Sequence, residues 1–183
     1  LSCSMYNDST LVFTSSLGVW IFIKTYDSIG NIVYSQQGTK FQGTGATNGL
    51  YTTSSIFENT VLFSDYTDNT NAGASWVYFR SGSTWTEQTG TKLVGTGATG
   101  AAQQGFSNSL YNNTLIIGGP ADNTNAGAAW IFTRSGSTWT QQGSKLVGTG
   151  ATGAARQGAS VSLYENTIAI GGTDDNSSVG ATW

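Results

Sequence analysis

The sequence predicts an all-β protein built of tandem four-stranded antiparallel sheets. Three observations predict it. A tryptophan frame recurs about every 54 residues, at Trp20, Trp76, Trp130 and Trp183, a period that marks one sheet per repeat. Whole phrases also return: Ser81-Gly82-Ser83-Thr84-Trp85-Thr86 reappears as Ser135-Gly136-Ser137-Thr138-Trp139-Thr140, and Lys92 to Thr99 reappears as Lys145 to Thr152. Finally, charged residues make up 9% of the chain and proline occurs once. The polar surface must therefore come from hydroxyls, amides and glycine turns, which suit strands and hairpins better than helices.

Residues 105–148 show each element in turn. Gly105 to Leu110 reads as a short first strand. Tyr111-Asn112-Asn113-Thr114 is a tight turn of residues that tolerate left-handed backbone. Leu115-Ile116-Ile117-Gly118-Gly119 is a continuous apolar run, as in a strand covered on both faces. Asp122 to Gly127 is a polar loop. Ala128 to Arg134 carries Trp130 and Phe132 two residues apart, so both point to one face. Ser135-Gly136-Ser137-Thr138 is a second tight turn, and Trp139 to Val147 is the fourth strand. Gly148 to Gln157, small and polar, links to the next unit. No stretch shows a 3.6-residue period with caps, so helices are not expected.

One such sheet cannot cover both of its faces. Stacking on a sibling solves this, either radially as β-propeller blades or in a linear array. The units read as 1–43, 44–95, 96–148 and a partial fourth, 149–183, which stops inside its third strand. Three full blades and part of a fourth do not close a ring. The missing strands are expected from a longer parent chain or from a neighbouring copy. The first unit diverges most: Tyr34 stands where Trp85 and Trp139 stand, and Phe13-Thr14-Ser15-Ser16 replaces the Gly-Gly element.

Several function classes are disfavoured. The net charge is -3 with seven basic residues. Six of these fall at two repeat positions, one set being Lys24, Arg80 and Arg134, the other Lys40, Lys92 and Lys145. They make ladders rather than the basic patch that nucleic acid requires. No run of 18 apolar residues is present to span a membrane. Cys3 is alone, so it forms neither an intrachain disulfide nor a cysteine zinc cluster. The chain lacks histidine, the usual base near neutral pH. Its ten acids are mostly spread one or two per repeat in turns, whereas catalytic groups are normally singular, so no enzyme activity is expected.

Three sets of residues are candidate sites. The Asp/Asn loops headed by Asp68, Asp122 and Asp175 are weak candidates for Ca²⁺, set against Asx-type turns that cap their own backbone. A hard cation wants six to eight oxygens, several of them carboxylate, and each loop has one or two acids, so no cofactor is expected. Asn7, Asn112 and Asn176 head N-glycosylation sequons. Tyr34, Trp85 and Trp139 recur once per repeat; exposed, they would stack on sugar rings, and covered, they would pack between fourth strands.

The chain resembles the FG-GAP repeat family, the blade unit of integrin α-subunit propellers and of many bacterial surface proteins. The first element of that pattern matches Gln104-Gly105-Phe106-Ser107 and Gln157-Gly158-Ala159-Ser160. The second matches Ile117-Gly118-Gly119-Pro120 and Ile170-Gly171-Gly172-Thr173. The third matches Gly73-Ala74-Ser75-Trp76-Val77-Tyr78-Phe79 and Gly127-Ala128-Ala129-Trp130-Ile131-Phe132. Calcium-binding members carry an Asp-rich turn between the first two strands. Here that turn is shortened to Tyr-Asn-Asn-Thr, Tyr-Glu-Asn-Thr or Phe-Glu-Asn-Thr, so the family's metal site is not expected. The resemblance implies a β-propeller at the cell surface. The reading that follows is a non-catalytic extracellular structural or adhesive protein, assembling head-to-tail through its open ends. The alternative is a lectin-like or integrin-like module that binds glycans or cell-surface proteins.

Overall fold

The computed structural model describes residues 2–7, 9–88, 90 and 92–183. Among these residues, four antiparallel sheets follow one another along the chain, each pairing its strands in chain order. Sheet 1 holds β1 (Ser2–Tyr6), β2 (Thr10–Ser15), β3 (Gly18–Tyr26) and β4 (Ile32–Gln36). Sheet 2 holds β5 (Thr53–Phe57), β6 (Thr60–Asp65), β7 (Ala74–Ser81) and β8 (Thr84–Glu87). Sheet 3 holds β9 (Ser107–Tyr111), β10 (Thr114–Gly119), β11 (Ala128–Ser135) and β12 (Thr138–Gln141). Sheet 4 holds β13 (Gln157–Tyr164), β14 (Thr167–Gly172) and β15 (Ala181–Thr182).

The tryptophan frame is a single register position. Trp20 lies opposite Phe13, Trp76 opposite Phe63 and Trp130 opposite Ile117. Trp183 exchanges both backbone hydrogen bonds with Ile170. Alternation along the strands then gives each sheet two unlike faces. The tryptophan face of each sheet packs against the smaller-residue face of the sheet before it. Val12, Val19 and Ile21 meet Phe63 and Trp76; Leu62 and Val77 meet Ile117 and Trp130; Ile116 and Ala129 meet Leu163 and Ile170. Trp76, Trp130, Phe63 and Ile117 are fully buried.

The sheets splay like a fan. Their first strands β1, β5, β9 and β13 lie side by side, while the fourth strands make no comparable approach. Side-chain size follows the wedge. Near the first strands the gap is bridged by serines: Ser4 Oγ lies 3.2 Å from Ser54 Oγ, and Ser55 Oγ donates to the Asn108 carbonyl at 3.1 Å. Toward the fourth strands the gap is filled by Trp85, Trp139 and Arg134. At the end of the first strands, Tyr6, Phe57, Tyr111 and Tyr164 form a column of rings. Successive centroids are 5.2, 4.7 and 4.9 Å apart, and successive planes tilt by 57°, 51° and 58°.

Three sequence expectations need correction. The fourth strand of the third repeat is Thr138–Gln141 rather than Trp139 to Val147. Gly143, at φ +69°, turns the chain out of the ladder there. The first strand starts at Ser107 rather than Gly105, because Gly105 at φ +86° bends the entry. The Asp/Asn loops contain four-residue turns, α1 (Asp68–Asn71), α2 (Asp122–Asn125) and α3 (Asp175–Ser178), whose inner residues are left-handed. No helix among the described residues is long and apolar enough to cross a membrane.

Candidate functional site

The repeat places its most specialised chemistry where a linker crosses from one sheet to the next. Leaving the fourth strand, each linker first pairs back on its own third strand, through Phe41 with Val19, Leu93 with Ser75 and Leu146 with Ala129. It then reaches the tryptophan of the following sheet. A Cβ on Gly95 would stand 2.1 Å from Trp130 Cδ1, so only glycine fits there. The indole N–H groups of Trp76, Trp130 and Trp183 donate to the carbonyls of Thr44, Thr96 and Thr149 at 3.0, 2.8 and 2.9 Å. Gln104, itself buried, closes a two-bond clamp on Gly95. Its Oε1 accepts from the Gly95 N–H at 2.5 Å and its Nε2 donates to the Gly95 carbonyl at 2.8 Å. Gln157 does the same to Gly148 at 2.6 and 3.0 Å. At Gly43 the Tyr51 hydroxyl accepts instead, at 2.6 Å. Burial raises the Tyr51 phenol above its ordinary value, with the Gly43 N–H partly offsetting it.

The loop aspartates tie two linkers together. Asp68 is fully buried. Its Oδ1 accepts from the Thr47 N–H at 2.7 Å and the Thr47 hydroxyl at 2.8 Å, on the incoming linker. Its Oδ2 accepts from Lys92 Nζ at 2.5 Å, on the outgoing one. Asp122 repeats this with Thr99 at 2.7 Å and Lys145 at 2.5 Å. Asp175 accepts from the Thr152 N–H at 2.6 Å. Burial pulls the Asp68 carboxyl upward, but the bonds from Lys92 and Thr47 outweigh it and hold the group below the usual carboxylate range. The Asx-turn expectation is therefore replaced: the residues that open these turns make no side-chain cap, the Thr47 hydroxyl accepts from the Asn69 N–H at 2.7 Å, and the aspartates bond across the repeat. The same bonds occupy the oxygens that a cation would need at Asp68 and Asp122. Among the described residues, no three His, Cys, Asp or Glu side chains converge.

The other candidates lie apart from this clasp. Trp85 and Trp139 are buried in the inter-sheet cores, with the guanidinium groups of Arg80 and Arg134 over their rings. Their rings are packed between sheets and are not open to sugar. Tyr34 is 37% exposed, beside the exposed Ile32 and Val33 on β4. Arg80 and Arg134 each fork onto an asparagine at a strand turn, Asn59 and Asn113, at 2.6–2.9 Å. Asn7, Asn112 and Asn176 are exposed at turn apices with φ of 46°, 53° and 48°.

The residues that sequence reading missed are Thr47, Thr99, Thr152, Gln104, Gln157 and the linker glycines. Lys92 and Lys145 stand 24 and 23 residues after their aspartates, a spacing that any two positions of a repeat share, so only the folded linker pairs them. A scan of the chain against protein-family models matched none, and a search of curated proteins found no match. The site is thus defined by its own geometry: a set of buried hydrogen bonds that fastens one sheet to the next.

Proposed function

We propose that this chain is a non-catalytic structural or adhesive repeat protein of the extracellular space or cell surface, its sheets serving as blades of a β-propeller of FG-GAP-like type. The fan arrangement carries the reading. First strands lie side by side, while fourth strands make no comparable approach. Sheets stacked about their first strands and splayed at their fourth are what radial packing of propeller blades requires. The acids and bases fit a scaffold, because they join linkers and turns instead of meeting in a cleft. A hydroxyl-rich surface of low charge and exposed sequons fit an oxidising, glycosylating exterior. We read its partners as further blades or copies of itself, joined head-to-tail, with no cofactor. Electron microscopy of the purified chain tests the architecture. Curved, wedge-like particles or closed rings are expected; straight rods of parallel sheets would remove the propeller reading.

A second reading, a lectin-like or integrin-like module, has one observation in its favour. Tyr34 stays half-exposed in an apolar strand edge while Trp85 and Trp139 are covered. A glycan array with wild type and Tyr34→Ala separates the two. Sugar binding lost in the variant favours the module, and its absence in both favours the scaffold.

A further inference from the structure

The two ends of the sheet stack carry opposite halves of one interface. Inside the molecule that interface recurs three times, always with a tryptophan face seated on a small-residue face. Sheet 1 presents its tryptophan face outward. Phe13 is 42% exposed, whereas Phe63, at the same register position in sheet 2, is 0%. Trp20, Cys3 and Phe13 line an apolar hollow there, and Met5 beside them is 55% exposed. The indole N–H of Trp20 has no bonding partner among the described residues, unlike those of Trp76, Trp130 and Trp183. Sheet 4 presents the small-residue face outward: Ser160 and Ser162 on β13, opposite Gly171 and Ala169 on β14. These match Ser107, Ser109, Gly118 and Ile116, which form the covered face of sheet 3.

We propose that the outer face of sheet 1 docks on the outer face of sheet 4 of a second copy of this chain. The inference rests on the head-to-tail reading above and names its two surfaces. Internal contacts define the register. Ser109 Oγ accepts from the Leu163 N–H at 3.1 Å, and Ser107 Oγ donates to the Gly158 carbonyl at 2.8 Å. By the same register Ser162 meets the backbone at Met5, with the Cys3 thiol inside the contact. Tyr164, 65% exposed at one end of the ring column, stacks on Tyr6 of the next copy. Unlike surfaces meeting in this way make a heterologous contact, which extends a chain or closes a ring.

Two blocks, both on exposed groups, test it: Ser162→Arg on sheet 4, and alkylation of Cys3 with a bulky maleimide on sheet 1. Sedimentation over a range of concentrations reads the outcome, with far-ultraviolet circular dichroism to verify that each species keeps its sheets. The unmodified chain is expected to oligomerise, and each blocked species to bind itself about tenfold more weakly or worse. An equimolar mixture of the two blocked species retains one good face of each kind and is expected to form dimers and nothing larger. Oligomers unaffected by either block would overturn the proposal, as would a mixture that stays monomeric or an unmodified chain that is monomeric throughout. A monomer that keeps its sheets removes only this docking. Loss of the sheet signal in the unmodified chain would instead strike the repeat-scaffold reading beneath it.

Discussion

Asp68 and Lys92 lie 24 residues apart, yet their side chains meet at 2.5 Å beneath the linker that Asp68 also grips through Thr47. The acid is fully buried and the lysine a quarter exposed. Removing the cation leaves a buried carboxylate oxygen without its partner, so Lys92→Ala is expected to cost about 3 kcal/mol. Denaturant unfolding measures it. The double variant Asp68→Asn, Lys92→Met should recover part of the loss, because no buried charge remains.

The same pair sets an acid limit. The folded Asp68 carboxyl is held below its ordinary value, so the stabilisation is present above the unfolded carboxyl pKa of about 3.9 and is lost as pH falls through the folded value. Melting temperature followed downward from neutral pH should fall across that window in wild type. The slope should be shallower in Asp68→Asn. Equal slopes would remove Asp68 from the acid transition.

Gly95 is a steric requirement, since a methyl group there overlaps the Trp130 ring. Ring and linker are both pinned, the ring by its bond to Thr96 and the linker by Gln104. Neither can retreat without breaking a buried hydrogen bond. Gly95→Ala is therefore expected to destabilise by about 2–3 kcal/mol, read by chemical denaturation with the m-value checked for constancy.

Much of the fold was legible because burial repeats. Trp20, Trp76, Trp130 and Trp183 mark one register position, and Leu115 to Gly119 reads as a covered strand and is one. Turn residues placed the hairpins for the same reason, as Asn112 and Gly136 supply the positive φ that those turns need. The clasp was not legible. Asp68 and Lys92 each look like local features, a turn former and a strand-end cation, and only the folded path of the linker joins them. The length of the fourth strand was also hidden. Gln141, which donates to the Gly143 carbonyl, is ordinary strand chemistry until the glycine turns away.

Thr124 sits in the left-handed region, at φ 55° and ψ 45°, between two asparagines that are left-handed as well. A β-branched residue is strained there, and glycine is not. Thr124→Gly removes that strain while adding freedom to the unfolded chain. The strain is the larger effect for a β-branched side chain, so a net gain of about 0.5–1 kcal/mol is expected. A loss of stability would mean that the threonine side chain holds the loop by a contact worth more than its strain.

Asn112 offers the sharpest test of the extracellular reading. It stands exposed in the turn between β9 and β10. The next residue, Asn113, is held by the Arg134 guanidinium at 2.6 and 2.9 Å, so the turn presents Asn112 in one fixed geometry. The corresponding turn positions in the second and fourth repeats are Glu58 and Glu165, which take no N-glycan. Secretion from a glycosylating host should therefore add a glycan at Asn112, seen by intact mass and lost on amidase treatment. Thr114→Ala should abolish it without unfolding the chain, since Thr114 is only half-buried. A secreted chain with Asn112 unmodified would leave this turn as a plain left-handed hairpin and take away its support for a glycoprotein.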